Sequence, residues 1–240
     1  RAYGASTAGR PVGTIGSLGC FSLQQGKHIT TGEGGLVVTD DDAVARRARV
    51  FVNKGWPYGE SGPDHEFLAL NYRLTELQGA VARAQLAKLD DMLEVRARST
   101  SRFCVLIAVI PGVRGAVVAV GDVHGYWRYC LLVDGEVMRG GPAALAERLA
   151  VHGVASAPRY IKKPAFECKV RAEQRTFGDS RWPFTLAKPE AVDYDAGRFP
   201  GVYAALDRML VLGWNEGMTD EHVDGLADAL RSAVAEVSDL

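Results

Sequence analysis

"FSLQQGKHITTGEGGLVVTDD", residues 21–41, sets a lysine in the connection between two strand-like runs. "TIGSLGCFS" (14–22) reads as a short strand entered from a Gly-rich turn. "GLVVT" (35–39) is a β-branched run bounded by Gly and by aspartates, which predicts a strand. Lys27 between them has three readings: a phosphate-binding loop lysine, an amine nucleophile, or a charged residue at a loop edge. The first needs four residues between a leading Gly and the Gly-Lys pair, then Ser or Thr for the metal. Here six residues separate Gly19 from Gly26, and His28 follows the lysine, so the spacing argues against it. The dinucleotide fingerprint fails as well, because Gly13, Gly16 and Gly19 recur every third residue and open no helix. An amine nucleophile must be partly neutral, hence desolvated or beside another cation. Ser22, five residues earlier, offers a hydroxyl to a phosphate. The residues of this stretch leave the nucleophile and the loop-edge readings open.

Outward from there, "DDAVARRARVFVNKG" (41–55) predicts a helix, with acids in its first turn and Lys54-Gly55 at its end, as the helix dipole and C-cap prefer. Residues 56–66 are a Gly- and Pro-rich loop. Thr75 and Gln78 form a capping box that starts one long helix, expected to run past residue 100. Its apolar stripe is Leu77, Val81, Ala84, Leu89, Met92 and Leu93. Beyond Pro111, "GAVVAV" (115–120) and "YWRYCLLV" (126–133) predict two strands around a turn at "GDVHG". "GPAALAERLAVHG" (141–153) is a helix with Pro at its start and Gly at its end. "VASAPRY" (154–160) and "MLVLGW" (209–214) read as strands, and residues 161–200 as an irregular, aromatic-rich connection. Thr219 caps a closing amphipathic helix with Val223, Leu226, Leu230, Val234 and Val237 on one face. The pattern is α/β followed by a smaller α+β part: residues 1–98 with a bridging helix, then residues 99–240. The first part has too few strands to close a sheet by itself.

The net charge of −1 supplies no basic field for nucleic acid, and 47% hydrophobic with 24% charged residues is an ordinary globular composition. The longest apolar run, "VLIAVI" (105–110), is far below the ~20 residues of a membrane span. Cys20, Cys104, Cys130 and Cys168 make neither a CxxC pair nor a metal cluster. Their apolar neighbours predict buried free thiols and a reducing, cytoplasmic compartment. "RAYGASTAGRPVG" has neither a Met nor a signal sequence, and reads as a sequence entered in the middle.

Three blocks, in order, carry a resemblance. "CFSLQQGKHITTGEGGLVVTDD" (20–41) resembles the segment around the Schiff-base lysine of the DegT/StrS family, the fold-type I pyridoxal-phosphate sugar aminotransferases. "NYRLTELQGAVARAQLAKLD" (71–90) is similar to that family's Asn-Tyr-Arg segment and long helix, and "LVLGWNEGMTDEHVDGLADAL" (210–230) to its closing segment. The resemblance implies a fold-type I architecture: the remainder of a large mixed-sheet domain, then a smaller α+β domain. It implies pyridoxal 5'-phosphate bound covalently by Lys27, with Ser22 on the cofactor phosphate. It also implies a homodimer with shared sites, in which Asn71 reaches the phosphate in the neighbouring subunit. The aspartate that pairs with the pyridine nitrogen in the family would lie immediately before Arg1.

The implied activity moves an amino group from glutamate or glutamine to a keto sugar, often nucleotide-linked, or to a keto cyclitol, with Lys27 as Schiff-base partner and acid/base. Members with His in place of this lysine perform deoxygenation, so Lys27 favours transamination. Tyr160 falls where the family often places a substrate-contacting His or Tyr. His28 is a second substrate candidate beside a packing role, and Arg73 a third beside a structural ion pair. No metal ligand set is expected. Two alternatives stand beside this reading: a catalytically silent partner or sensor subunit, and a fragment unable to bind the cofactor by itself.

Overall fold

A computed structural model describes residues 3–238 as two compact units. One runs to Arg102 and takes in Val117–Trp127 and Trp214–Asp220; the other comprises Phe103–Ala116, Arg128–Gly213 and the chain from Glu221 onward.

The first unit starts with two short antiparallel pairs, β1 (Ser6–Thr7) with β2 (Arg10–Pro11), then β3 (Gly19–Ser22) with β4 (Gly35–Val38). In the second pair Ser22 faces Gly35 and Gly19 faces Val38. The strand expected over 14–22 is therefore confined to its last residues, because the glycine-rich start turns instead of extending. Helix α1 (Asp42–Val52) forms as expected: Asp41 Oδ1 accepts the Ala43 and Val44 amides at 2.8 and 3.0 Å, which satisfies two donors a helix start leaves unpaired. The loop at 56–66 is braced onto α1 by Arg46, which grips the carboxylates of both Glu60 and Glu66.

The long helix expected from Thr75 is two helices. The capping box is present, with Thr75 Oγ1 accepting the Gln78 amide at 3.2 Å, and it starts α2 (Glu76–Leu86). α3 (Leu89–Ile107) follows after a tight turn in which the Lys88 amide donates to Gln85 O, three residues back. Asp90 and Asp91 then lie in a first turn, where the positive end of the new helix stabilises acids. The predicted stripe holds over α3, where Leu89 and Met92 pack on a core of Tyr3, Leu23 and Ile29, but not over α2, where Ala82 packs there and Leu77 and Val81 are exposed.

The second unit holds a four-stranded antiparallel sheet in the order β5 (Val113–Gly115), β6 (Arg128–Val133), β8 (Met209–Gly213), β7 (Ser156–Pro158). β6 alternates in the period of two, burying Tyr129, Leu131 and Val133. The strand expected at 115–120 forms earlier, at β5: Val113 is buried, while Val117 and Val120 are exposed in a loop. Between β6 and β8 run α4 (Gly141–Val151), the short α5 (Lys169–Ala172) and α6 (Pro200–Arg208). α6 is not among the helices expected from the sequence, although Pro at its first position and Leu206 in its buried face are helix signals. α7 (Asp220–Val237) closes the chain and buries Val223, Leu230 and Val234, as the periodicity required.

All four cysteines are free, but Cys20 and Cys104 are exposed. Apolar sequence neighbours did not bury Cys20, because β3 and β4 leave much of their surface open, Val37 included. Among the described residues no helix is long and apolar enough to cross a membrane, and no group of three His, Cys, Asp or Glu is placed to hold a metal ion.

Candidate functional site

Lys27 sits on a turn that folds back on the end of β3. The turn is built around Gln24. Its backbone N–H donates to Ser22 Oγ at 3.3 Å, its carbonyl accepts the Lys27 amide at 3.0 Å, and its side-chain Oε1 accepts Lys27 Nζ at 3.1 Å and the Gly26 amide at 2.8 Å. A hydroxyl and a primary amine five residues apart are thus gathered on one turn by a single glutamine. Leu23 and Ile29 are fully buried on either side of it and anchor it to the core. Thr30 and Thr31 close the turn from beyond, the Thr30 hydroxyl and the Thr31 amide both donating to Leu23 O at 3.0 Å.

The glycine pair behind the lysine is a conformational requirement. Gly34 has φ of 145° and hands its carbonyl to the Leu23 amide at 2.9 Å. A Cβ there would meet Thr31 Oγ1 at 2.9 Å and Leu74 Cδ1 at 3.0 Å. Glu33 presents only its backbone: its carbonyl accepts the Thr31 hydroxyl at 2.7 Å and Gln78 Nε2 at 2.8 Å, which ties the loop to the start of α2.

His28 is buried beside the lysine, 3% exposed, with Nε2 2.7 Å from Gly125 O. Burial pushes its pKa down, the Gly125 carbonyl pulls it partly back, and the nearby Arg96 cation lowers it further. Arg96 is 5% exposed and acts as a clamp in the first unit. Its Nη1 donates to Tyr126 O and Trp214 O, each at 2.9 Å, and its Nη2 meets Glu216 Oε2 at 2.7 Å. Trp127 completes the surroundings: its indole N–H donates to Gly26 O at 2.5 Å, and its ring centroid lies 5.7 Å from Lys27 Nζ.

The structure therefore joins Ser22, Lys27 and His28 on one turn. Asn71 and Arg73 lie on a separate exposed segment, where Asn71 bridges to Asn53 at the end of α1 and its Oδ1 accepts the Arg73 amide at 3.2 Å. Tyr160 belongs to the second unit, under the Arg128 guanidinium at 5.1 Å. Sequence reasoning missed Gln24, Arg96 and Trp127. Gln24 carried a signal, since a polar side chain three residues before a lysine in a turn is within hydrogen-bond reach. Trp127 carried none, because its partner is 101 residues away.

An amine and a hydroxyl on one turn, backed by apolar anchors, are a donor set that fits a phosphorylated aldehyde such as pyridoxal phosphate. Comparison with known proteins points the same way. The chain is 33% identical over 211 residues to the 3-amino-5-hydroxybenzoate synthase of Amycolatopsis mediterranei, covering 85% of this chain and 50% of that protein. It is 29% identical over 189 residues to the L-glutamine:2-deoxy-scyllo-inosose aminotransferase of Streptoalloteichus tenebrarius, covering 74% and 44%. The chain thus spans about half the length of the curated relatives it matches. The fold is that of the sugar aminotransferase CalS13 from Micromonospora echinospora, with TM-score 0.74 at 23% identity over 96% of this chain and 56% of that one. Helicobacter pylori PseC, an aminotransferase of pseudoaminic acid biosynthesis, gives TM-score 0.75 at 20% identity over 98% and 57%. The fold-type I class expected from the sequence is the one these structures share. The match to the DegT/DnrJ/EryC1/StrS aminotransferase family extends over residues 1–231, and the chain belongs to that family.

Proposed function

We propose that the protein is a pyridoxal-phosphate-dependent aminotransferase that moves an amino group from glutamate or glutamine to a keto sugar or keto cyclitol, and that Lys27 is its covalent attachment point. The observation that carries the reading is the Gln24-centred turn, which gathers the Ser22 hydroxyl and the Lys27 amine. The cofactor, when bound, supplies an electron sink for a carbanion at the substrate carbon. Everything else falls to the chain. Lys27 would hold the cofactor covalently through Nζ at the aldehyde carbon, the carbonyl oxygen leaving as water. Released from it, the neutral amine is the base that takes the α-proton of the amino donor. The Ser22 O–H donates to the phosphate, and Gln24 Oε1 holds Nζ while the amine is free. Burial of Leu23 and Ile29 keeps the turn from wandering, which matters because misplacement by an ångström costs orders of magnitude in rate.

In this reading Asn71 reaches the phosphate of the neighbouring subunit of a homodimer, and its exposure is compatible with a contact made in trans. Arg73 and Tyr160 are candidate substrate contacts. His28, buried on the Gly125 carbonyl, is better suited to supporting the turn. The relatives named for an aminobenzoate product and an inosose acceptor support a keto carbocycle as readily as a nucleotide-linked keto sugar. The free thiols are in keeping with a reducing cytoplasm.

The test is covalent trapping. Incubation with pyridoxal phosphate followed by borohydride and peptide mapping places the reduced adduct on Lys27, and Lys27→Ala abolishes it without loss of fold. Label distributed over the surface lysines, with none favouring Lys27, overturns the proposal.

A further inference from the structure

The turn that carries Lys27 is pinned by a segment about a hundred residues further along, and pinned on both sides of the lysine. The residue before it, Gly26, gives its carbonyl to the Trp127 indole N–H at 2.5 Å. The residue after it, His28, holds Gly125 O at 2.7 Å through Nε2. The intervening Tyr126 carbonyl is held by Arg96 Nη1 at 2.9 Å. The segment is specialised for this path. Tyr126 has φ of 43°, a left-handed conformation that a tyrosine adopts only when its surroundings dictate it. Its amide is satisfied locally by His124 Nδ1 at 2.9 Å. Gly125 passes so close to Tyr3 that a Cβ would run into the Tyr3 carbonyl. Finally, the indole of Trp127 lies 5.7 Å from Lys27 Nζ, within the range of a cation–π contact.

We propose that His124–Trp127 is a strap that positions Lys27, with Trp127 as the positioning residue. The indole N–H fixes the peptide that precedes the lysine. The ring face attracts the ammonium form and gives Nζ a flat, apolar wall, so that the amine meets an incoming carbonyl at one place. Trp127 touches the nucleophile's support and its charge, and takes no part in bond making. The inference rests on Lys27 being the covalent lysine, and it adds a residue that only the folded chain brings near.

The substitutions separate the two roles. Trp127→Phe keeps a ring and loses the N–H; Trp127→Leu loses both. Each is incubated with pyridoxal phosphate, reduced with borohydride, and mapped, with Lys54 and Lys88 as internal references and circular dichroism as the check on folding. Condensation of the amine with the aldehyde expels water, and hydride from borohydride then reduces the resulting C=N bond, so the label reads amine placement independently of turnover. The rate of labelling at Lys27 falls about three- to tenfold in Trp127→Phe, the effect of one lost hydrogen bond, and further in Trp127→Leu, with the reference lysines unchanged. A merely structural role lowers thermal stability and leaves the preference for Lys27 intact, and that result overturns the strap alone. A parent chain with no preference for Lys27 overturns the covalent assignment and the strap together. If Trp127→Leu does not fold, Trp127→Phe decides.

Discussion

Lys27 owes its place to neighbours that share its turn, and each makes a separate contribution. In the proposed site the Ser22 hydroxyl donates to a doubly charged phosphate, a bond worth about 1.5–3 kcal/mol. Ser22→Ala is therefore expected to weaken pyridoxal phosphate binding about tenfold or more in a spectral titration, with Lys27 labelling still reaching completion at saturation. His28 gives a pH signature. Burial holds its pKa below the ordinary 6.5, so in the window beneath 6.5 the unfolded chain binds a proton that the folded chain does not. Stability is complete above that window, falls as the pH drops through it, and levels off once folded His28 also protonates. His124 is shifted the same way by burial and contributes with the same sign. Melting temperature measured between pH 7.5 and 5.5 is expected to fall less steeply in His28→Gln than in the parent. Equal slopes refute the assignment to His28.

At the scale of elements, the glycine loop and the capped helix are one construction. Gly34 turns the chain so that β4 can return beside β3, and the Glu33 carbonyl receives Gln78 from the first turn of α2. Gly34→Ala forces a side chain into a positive φ against Thr31 and Leu74, and is expected to cost at least about 1 kcal/mol by denaturant unfolding. Thr75→Ala removes the cap of α2 and costs about 1 kcal/mol. The capping box was readable because its donors and acceptors are three residues apart. The break after Leu86 was harder to read. The same alternation of apolar and polar residues continues across it, and only the Lys88 amide reaching back to Gln85 and the acid pair beyond it betray a new start. The strand expected at 115–120 failed for a related reason. β-branched residues fit a pleated, half-buried surface, and at Val117 and Val120 no such surface is offered.

Across the whole molecule, the first unit is tied by a charge. Arg96, on α3, spans 118 residues to the Trp214 carbonyl and 120 to Glu216, and holds the strap at Tyr126 as well. Arg96→Met keeps much of the volume but leaves buried carbonyls unpaired, and is expected to destabilise by about 2–3 kcal/mol in chemical unfolding. It should also slow labelling at Lys27, since the strap loses its support. The proposed dimer has its own test. Mixing Lys27→Ala chains with Asn71→Ala chains leaves heterodimers with one wild-type site if Asn71 serves the partner. Random exchange then restores about a quarter of the sites. If Asn71 acts within its own subunit, mixing restores none.

The sequence by itself determined what depends on neighbours a few residues apart. That covers the β3–β4 pair around Lys27, the capped starts of α1 and α2, the buried face of α7, and the family blocks that point to the lysine. Such features follow from period, capping and turn chemistry, whose donors and acceptors lie within one turn of the chain. Only the tertiary structure decided which side of α2 packs on the core, where α2 ends and α3 begins, and that Trp127 and Arg96 converge on the lysine turn. The packing of α2 and the approach of Trp127 and Arg96 depend on contacts between residues from 30 to 101 positions apart, and side-chain reach in space leaves no periodic trace along the chain.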